Sequence, residues 1–204
     1  MKKSKSVRKY KLPKGHVLVL RTSNANMTTY GWFLWPAKGP VTCPDWDPQP
    51  KCGNGLHGLF WGEGDGSLVD HSDGAKWLVV EVKESELVSL DGGAKVKFPR
   101  GKVVFAGDVL AATAMVAEHS AKARSVVGST LTGGVGSTLT GGDRSTLTGG
   151  YRSTAKTGDL GIIAIKHWDD KAGRHRLSVG YVGEDGIEPN TFYRCNDAGK
   201  LVKA

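Results

Sequence analysis

Between residues 128 and 159 the chain repeats itself every eight residues, and that period narrows the available folds more than any other feature. The copies read Gly-Ser-Thr-Leu-Thr-Gly-Gly-Val from Gly128, Gly-Ser-Thr-Leu-Thr-Gly-Gly-Asp from Gly136, Arg-Ser-Thr-Leu-Thr-Gly-Gly-Tyr from Arg144, and a decayed Arg-Ser-Thr-Ala-Lys-Thr-Gly-Asp from Arg152. Fixed-period self-similarity builds stacked units rather than one closed globular core. Alternation within an octad puts Ser and Leu on one face and the two Thr on the other, and the Gly-Gly pair is expected to supply the left-handed corner where the chain reverses. One octad is then one side of a coil and two make a rung, so residues 124–158 predict a β-solenoid about two rungs tall at ~4.8 Å per rung. Leu131, Leu139 and Leu147 fill its narrow interior, and Thr130, Thr132, Thr138, Thr140, Thr146 and Thr148 stand outward in ladders. A flexible Gly/Ser/Thr linker has no need to keep Leu at a fixed spacing. So short a stack has open, unpaired edges, and the flanking segments are expected to cap it.

Ahead of the octads, residues 15–123 predict a Trp-rich α+β module. Its strand candidates are His16 to Leu20, Tyr30 to Trp35, Leu56 to Trp61, Trp77 to Val82 and Lys102 to Phe105, and a helix capped by Asp108 is expected over Val109 to Ala123. Pro40, Pro44, Pro48 and Pro50 make the stretch Pro40 to Lys51 an extended loop, because proline blocks helix interiors and central ladders. After the octads, residues 159–204 predict a β-meander: strands at Leu160 to Trp168, Arg174 to Val182, Thr191 to Cys195 and Lys200 to Val202, joined by Asp- and Gly-bearing turns. Such a sheet would seal the last rung. The expected fold class is therefore mostly β, with an α+β front, a short solenoid and a meander cap.

Charge is unevenly placed. Of the formal +8, seven positive charges and no acid fall in residues 2–14, a basic arm suited to weak, salt-dependent polyanion contact or to solubility. Residues 45–91 carry ten Asp/Glu against three Lys, and residues 92–156 carry nine Lys/Arg against three acids. No apolar run reaches the ~18 residues of a membrane helix, and the start lacks the apolar core of a signal peptide. Three cysteines point to reduced thiols in a cytoplasmic setting rather than a disulfide framework.

Several clusters are candidates for chemistry. Cys43, Cys52 and His57 offer thiolate and imidazole ligands for zinc, but their spacing lacks short paired knuckles, and small buried thiols with a hydrogen-bonded histidine are the favoured reading. Glu63 and Asp65 sit on a glycine-laced turn able to approach a ligand closely, or simply to turn the chain. Five of the six tryptophans fall within residues 32–77; most read as core, whereas Trp46, between two aspartates in the proline loop, reads as an exposed anchor, with Trp61 beside it. Arg144 and Arg152 recur at one octad position and are expected to project from one corner of the coil, solvated or gripping an anionic partner.

The octads resemble the repeats of bacterial ice-nucleation proteins, whose fold is taken to be a β-solenoid with outward Thr-x-Thr rows. That resemblance implies architecture; ice organisation needs a long flat array, and two rungs offer little surface. The layout is also similar to a group of phage and bacterial proteins that join a Cys-x-x-Gly-Leu/Phe-His element (here Cys52 to His57) to octads and to a Thr-aromatic-Tyr-Arg element (here Thr191 to Arg194). This similarity implies a phage-encoded accessory factor, with counter-defence one such role, in the host cytoplasm. In the front module, Arg21 on the first strand, the Gly55 to His57 strand start and Glu81 on a later strand loosely resemble the ADP-ribosyltransferase plan, which implies NAD as the ligand and Glu81 as the carboxylate polarising the ribose.

The reading these features favour is a non-catalytic binding protein that meets a protein or small-molecule partner through a Trp-rich acidic face of residues 45–77, with Trp46, Trp61, Glu63, Asp65, Arg144 and Arg152 as contacts and no resident cofactor. The enzymatic alternative uses NAD with Arg21, His57 and Glu81. A third reading is an assembly component that oligomerises by solenoid stacking.

Overall fold

A computed structural model describes residues 10–204. Residues 1–9 of the basic arm, and the polyanion contact expected of them, lie outside the described residues. The protein is mostly β, with a single α-helix among the described residues.

The front half is built on β1 (His16–Ser23), β2 (Gly39–Thr42), β3 (Leu56–Phe60), β4 (Lys76–Lys83), β5 (Val88–Leu90), β6 (Lys95–Phe98) and β7 (Arg100–Gly107). They form one antiparallel sheet in the order β2-β7-β4-β1-β3-β6-β5. Both faces of its centre are covered, so β1 and β4 read as near-continuous apolar runs, with Val17 to Leu20 and Trp77 to Val80 all buried. On one side Leu20, Leu59, Trp61 and Val79 pack against Ala112 and Val116 of α1 (Val109–His119). On the other, Val19, Leu78, Val80, Phe98 and Val103 pack around Trp35. The Asp108 carboxylate accepts the Ala111 backbone N–H at 2.9 Å and caps α1, which ends at His119 because Ser120 turns extended, four residues before the expected Ala123. The proline loop is corrected at its start: Gly39 to Thr42 form an edge strand, where Pro40 costs no ladder bond. Strands β5 and β6 were not expected, since Lys95 and Lys97 interrupt the apolar run there.

The octads follow as β8 (Thr130–Thr132), β9 (Thr138–Thr140), β10 (Thr146–Gly149) and β11 (Thr154–Lys156). Pairing runs between residues sixteen apart, in parallel: Leu131 opposite Leu147, and Leu139 opposite Ala155. Successive octads therefore alternate between two sheets. The first continues into β12 (Ile162–Asp169), which adds parallel to β10, and turns back as β13 (Arg174–Tyr181). The second is completed by β14 (Tyr193–Cys195), antiparallel to β11, and β15 (Leu201–Lys203). Leu147, Ala155, Ile163, Ile165 and Tyr193 form one buried cluster, with Leu131 and Leu139 half-buried against it.

Serines line the inside as expected and carry a bonding ladder. The Ser145 hydroxyl donates to the Val126 carbonyl at 3.1 Å and accepts the Ser129 N–H at 3.1 Å; Ser153 repeats the pattern with the Gly134 carbonyl at 3.0 Å and the Ser137 N–H at 3.1 Å. The corner is corrected. The left-handed residue is the first of each octad, Gly128, Gly136, Arg144 and Arg152, with φ between 56° and 70°. The Gly-Gly pair serves close approach instead: a Cβ on Gly141 would lie 2.6 Å from the Ser145 Cβ, and one on Gly142 only 2.3 Å from the Ser125 carbonyl oxygen.

Candidate binding site

The segment expected as a buried strand from Tyr30 to Trp35 is instead a structured projection. Asn24 organises its base: the side-chain oxygen accepts the N–H groups of Asn26 and Thr28 at 3.0 and 2.9 Å. The Trp35 N–H donates to the Met27 carbonyl at 2.8 Å, and the Thr29 N–H to the Phe33 carbonyl at 3.0 Å. Between them Tyr30 to Trp32 make a 3-10 turn in which Gly31 and Trp32 are left-handed. Trp35 anchors the projection in the core, edge-on to Phe33 at 5.5 Å, its indole N–H on the Thr29 hydroxyl at 3.2 Å and the Arg21 guanidinium 3.9 Å over its ring. At the tip Tyr30 is 101% exposed, Trp32 87% and Leu34 66%. No charged residue lies between Arg21 and Lys38. Three large apolar side chains thus stand in open water on a hydrogen-bonded frame.

Behind the same arginine lies a cavity of about 190 Å³ between β1, β3 and β6, lined by Arg21, Thr22, Cys52, His57, Lys95 and the apolar Leu59, Leu68 and Val69. Gly58 makes its wall possible, since a Cβ there would sit 2.5 Å from a Val19 methyl. Arg21 donates to the His57 carbonyl at 2.9 Å and to the Thr22 carbonyl at 3.2 Å. Burial lowers the Arg21 pKa to about 9, still charged at neutral pH. Burial, then the positive charges of Lys95 and Arg21, hold His57 below the ordinary histidine value, so its ring is neutral.

The predicted site residues are dispersed. Glu81 does not join Arg21 and His57: its carboxylate accepts the Tyr10 hydroxyl at 2.7 Å and borders a separate depression with His16, Arg100 and Lys102. Cys43, Cys52 and His57 do not converge. The Cys43 thiol donates to Asp45 at 2.8 Å, Cys52 accepts from Lys95 at 3.3 Å, and among the described residues no three His, Cys, Asp or Glu side chains are placed to hold a metal ion. Trp46 is half-buried, with the Lys97 ammonium 5.6 Å from its ring, and Trp61 is buried. Trp46 is therefore not the exposed anchor expected, and Trp61 offers no open apolar patch beside it. Glu63 is spent on the octads' lead-in, accepting the Ser125 N–H at 2.8 Å and pairing with Arg124 at 2.9 Å. Asp65 accepts the Ser67 N–H at 2.8 Å and caps a short turn. Because successive octads alternate sides, Arg144 and Arg152 do not share a corner. Arg144 borders a groove with Asp65 and Asp159, whereas Arg152 borders one with Trp168 and Arg194.

The front half and octads are joined by specific bonds. The Val127 N–H donates to the Gly62 carbonyl at 2.9 Å, and the Asp143 carboxylate accepts the Gly66 N–H at 2.9 Å with one oxygen and the Asp159 N–H at 2.9 Å with the other. Asp143 thus ties two octads to the front turn.

No family model matches the chain, and no solved structure matches it. Among curated proteins it is similar to an ice nucleation protein of Pseudomonas fluorescens, 40% identical over 106 residues, which is 52% of this chain and 9% of that protein. Ice nucleation protein InaU of Pantoea ananas is 40% identical over 106 residues, 52% of this chain and 10% of the relative. That of Xanthomonas campestris pv. translucens is 43% identical over 93 residues, 45% and 6%. The repeats are therefore ice-nucleation-like, and the chain spans a tenth or less of the length of these three relatives.

Proposed function

We propose that the protein is a non-catalytic interaction factor in which a short β-solenoid of ice-nucleation-like octads holds a front module in fixed relation to a C-terminal meander, and the front module docks a protein partner through Tyr30, Trp32 and Leu34. The boundaries are those read from the sequence, 15–123, 124–158 and 159–204. Nearly complete exposure of Trp32 on an internally bonded turn carries this reading, because an exposed indole gains by entering an apolar pocket of a partner and the frame has already met the ordering cost. The contact thus lies on residues 30–34 rather than 45–77. Action in the host cytoplasm as a phage-encoded accessory belongs to the same proposal and rests on the similarity of layout. The expectation of stacked copies also stays a proposal: β9 is an edge strand of its sheet, the place where a second copy would add.

The test compares wild type with the double variant Tyr30→Ser/Trp32→Ser as bait in a host lysate. The reading expects the double variant to keep the wild-type melting temperature and lose a partner that wild type retains. Equal capture by both, or binding of wild type to lipid vesicles in place of a protein, contradicts it.

A further inference from the structure

The cavity behind Trp35 has more hydrogen-bond donors than the protein uses. A guanidinium carries five N–H groups and an ammonium three. Arg21 spends three contacts on the carbonyls of Thr22 and His57, and among the described residues no carboxylate lies within ion-pair distance of it. Lys95 contacts Asp91 at 3.1 Å and the Cys52 sulfur at 3.3 Å. That leaves two N–H groups on the guanidinium and one on the ammonium. The third observation is independent of charge: His57 Nε2 is buried and, among the described residues, the one buried side-chain nitrogen or oxygen with no partner. A buried polar atom left unpaired costs about 1–3 kcal/mol, a cost the fold carries at the wall of this cavity. No acid lines the cavity, and beyond Arg21, Lys95, Cys52 and His57 its wall is Thr22, Gly58 and the apolar Leu59, Leu68 and Val69.

We propose that this cavity is a binding site for a compact oxyanion, a phosphoryl, sulfate or carboxylate group on a small molecule, seated between Arg21 and Lys95 beside the His57 ring, with its carbon substituent against Leu59, Leu68 and Val69. The guanidinium keeps one unspent N–H on each terminal nitrogen, the donor type that suits such groups. Lys95 closes the rim as a second positive charge. With no acid in the lining and Lys95 already paired with Asp91, a neutral or cationic ligand leaves the Arg21 charge uncompensated, whereas an anion satisfies it. At about 190 Å³ the space is smaller than the ~300–1,000 Å³ of sites that enclose a drug-sized ligand. A phosphomonoester or small organic acid is the matching scale, and a dinucleotide exceeds it. The site stands apart from the Tyr30–Leu34 tip, and Trp35 joins the two: its ring lies under the Arg21 guanidinium while its backbone holds the projection.

The experiment titrates the full-length protein with sodium sulfate, inorganic phosphate, acetate and chloride at matched ionic strength, following the His57 ring nitrogen by NMR. A saturable His57 response to sulfate, phosphate or acetate, absent with chloride, is expected; the first two alone assign a tetrahedral group, and acetate alone a carboxylate. Lys95→Met, on the rim, is expected to weaken binding about tenfold while leaving the ligand-free melting temperature near wild type. Arg21→Lys keeps the charge, loses the fork, and is expected to weaken binding as well. The proposal is overturned if no oxyanion moves His57 in wild type, if chloride acts equally, or if Lys95→Met binds as tightly as wild type. Tyr30→Ser/Trp32→Ser is expected to bind the anion normally, so failure here is distinguishable from failure of the docking tip.

Discussion

At the scale of single residues, backbone conformation and burial decide what each side chain does. Arg144 and Arg152 occupy left-handed corners that Gly128 and Gly136 fill in the first two octads, and a non-glycine residue there is strained by roughly 1–2 kcal/mol. Arg144→Gly is expected to raise the melting temperature by about 1–3 °C, part of the relief being offset by the freer unfolded chain; Gly141→Ala is expected to lower it, because the Ser145 side chain occupies the space a methyl would need. A scan of both variants checks the pair. His57 gives a pH prediction. Its folded value is depressed, so its contribution to stability is present above the ordinary histidine pKa and is lost as pH falls through the folded value. Between about pH 7 and pH 5, wild type should therefore lose more stability than His57→Gln, measured by urea unfolding at each pH. Individual tryptophans were poorly legible for a physical reason. Trp32 and Trp46 are equally apolar as letters; Asn24 bonding lifts the first into water, and Lys97 draws the second inward.

Among the elements, periodicity was informative wherever one face is buried. The alternation of Ser and Leu against Thr in the octads gave the right inward set, Ser145, Leu147 and Ser153, and Asp108 marked the helix start. Corner chemistry was misread because glycine serves two needs, left-handed φ and close approach, and only coordinates separate them. Strand β6 escaped notice because Lys97 is buried by reaching the carbonyls of Lys51 and Gly53, a tertiary arrangement that no local pattern reports. The run Tyr30 to Trp35 failed in the opposite sense, its apolar letters standing on a turn. Leu147, opposite both Leu131 and Ile163, is the centre of the octad core. Leu147→Ala is expected to cost about 2–5 kcal/mol, read from chemical denaturation.

For the whole molecule, what matters is how few octads there are and how firmly they are held. On one sheet the threonine rows run Thr130–Thr146 and Thr132–Thr148, then meet Ile162 and Ala164; on the other, Thr138–Thr154 meets Arg194, and Lys156 stands where a threonine would follow Thr140. No row exceeds two threonines, so supercooled droplets containing the protein are expected to freeze at the temperature of buffer alone, a result that droplet-freezing assays read directly. The candidate site was only partly legible. Arg21 and His57 emerged from the sequence as a pair, but their company is Lys95 and Cys52 rather than Glu81, since Lys95 of β6 and Cys52 line the cavity and Glu81 pairs with Tyr10 elsewhere.

The proposed solenoid, tied to the front sheet through Glu63 and Asp143, underlies both the fixed docking tip and the modest height of the threonine rows. Backbone proton contacts in solution NMR test it most directly. Cross-strand contacts between residues sixteen apart, Leu131 with Leu147 and Leu139 with Ala155, are predicted, with slow amide exchange at Thr146, Thr154 and Ile162. Ladder contacts between residues eight apart, or free exchange throughout 128–157, would contradict it.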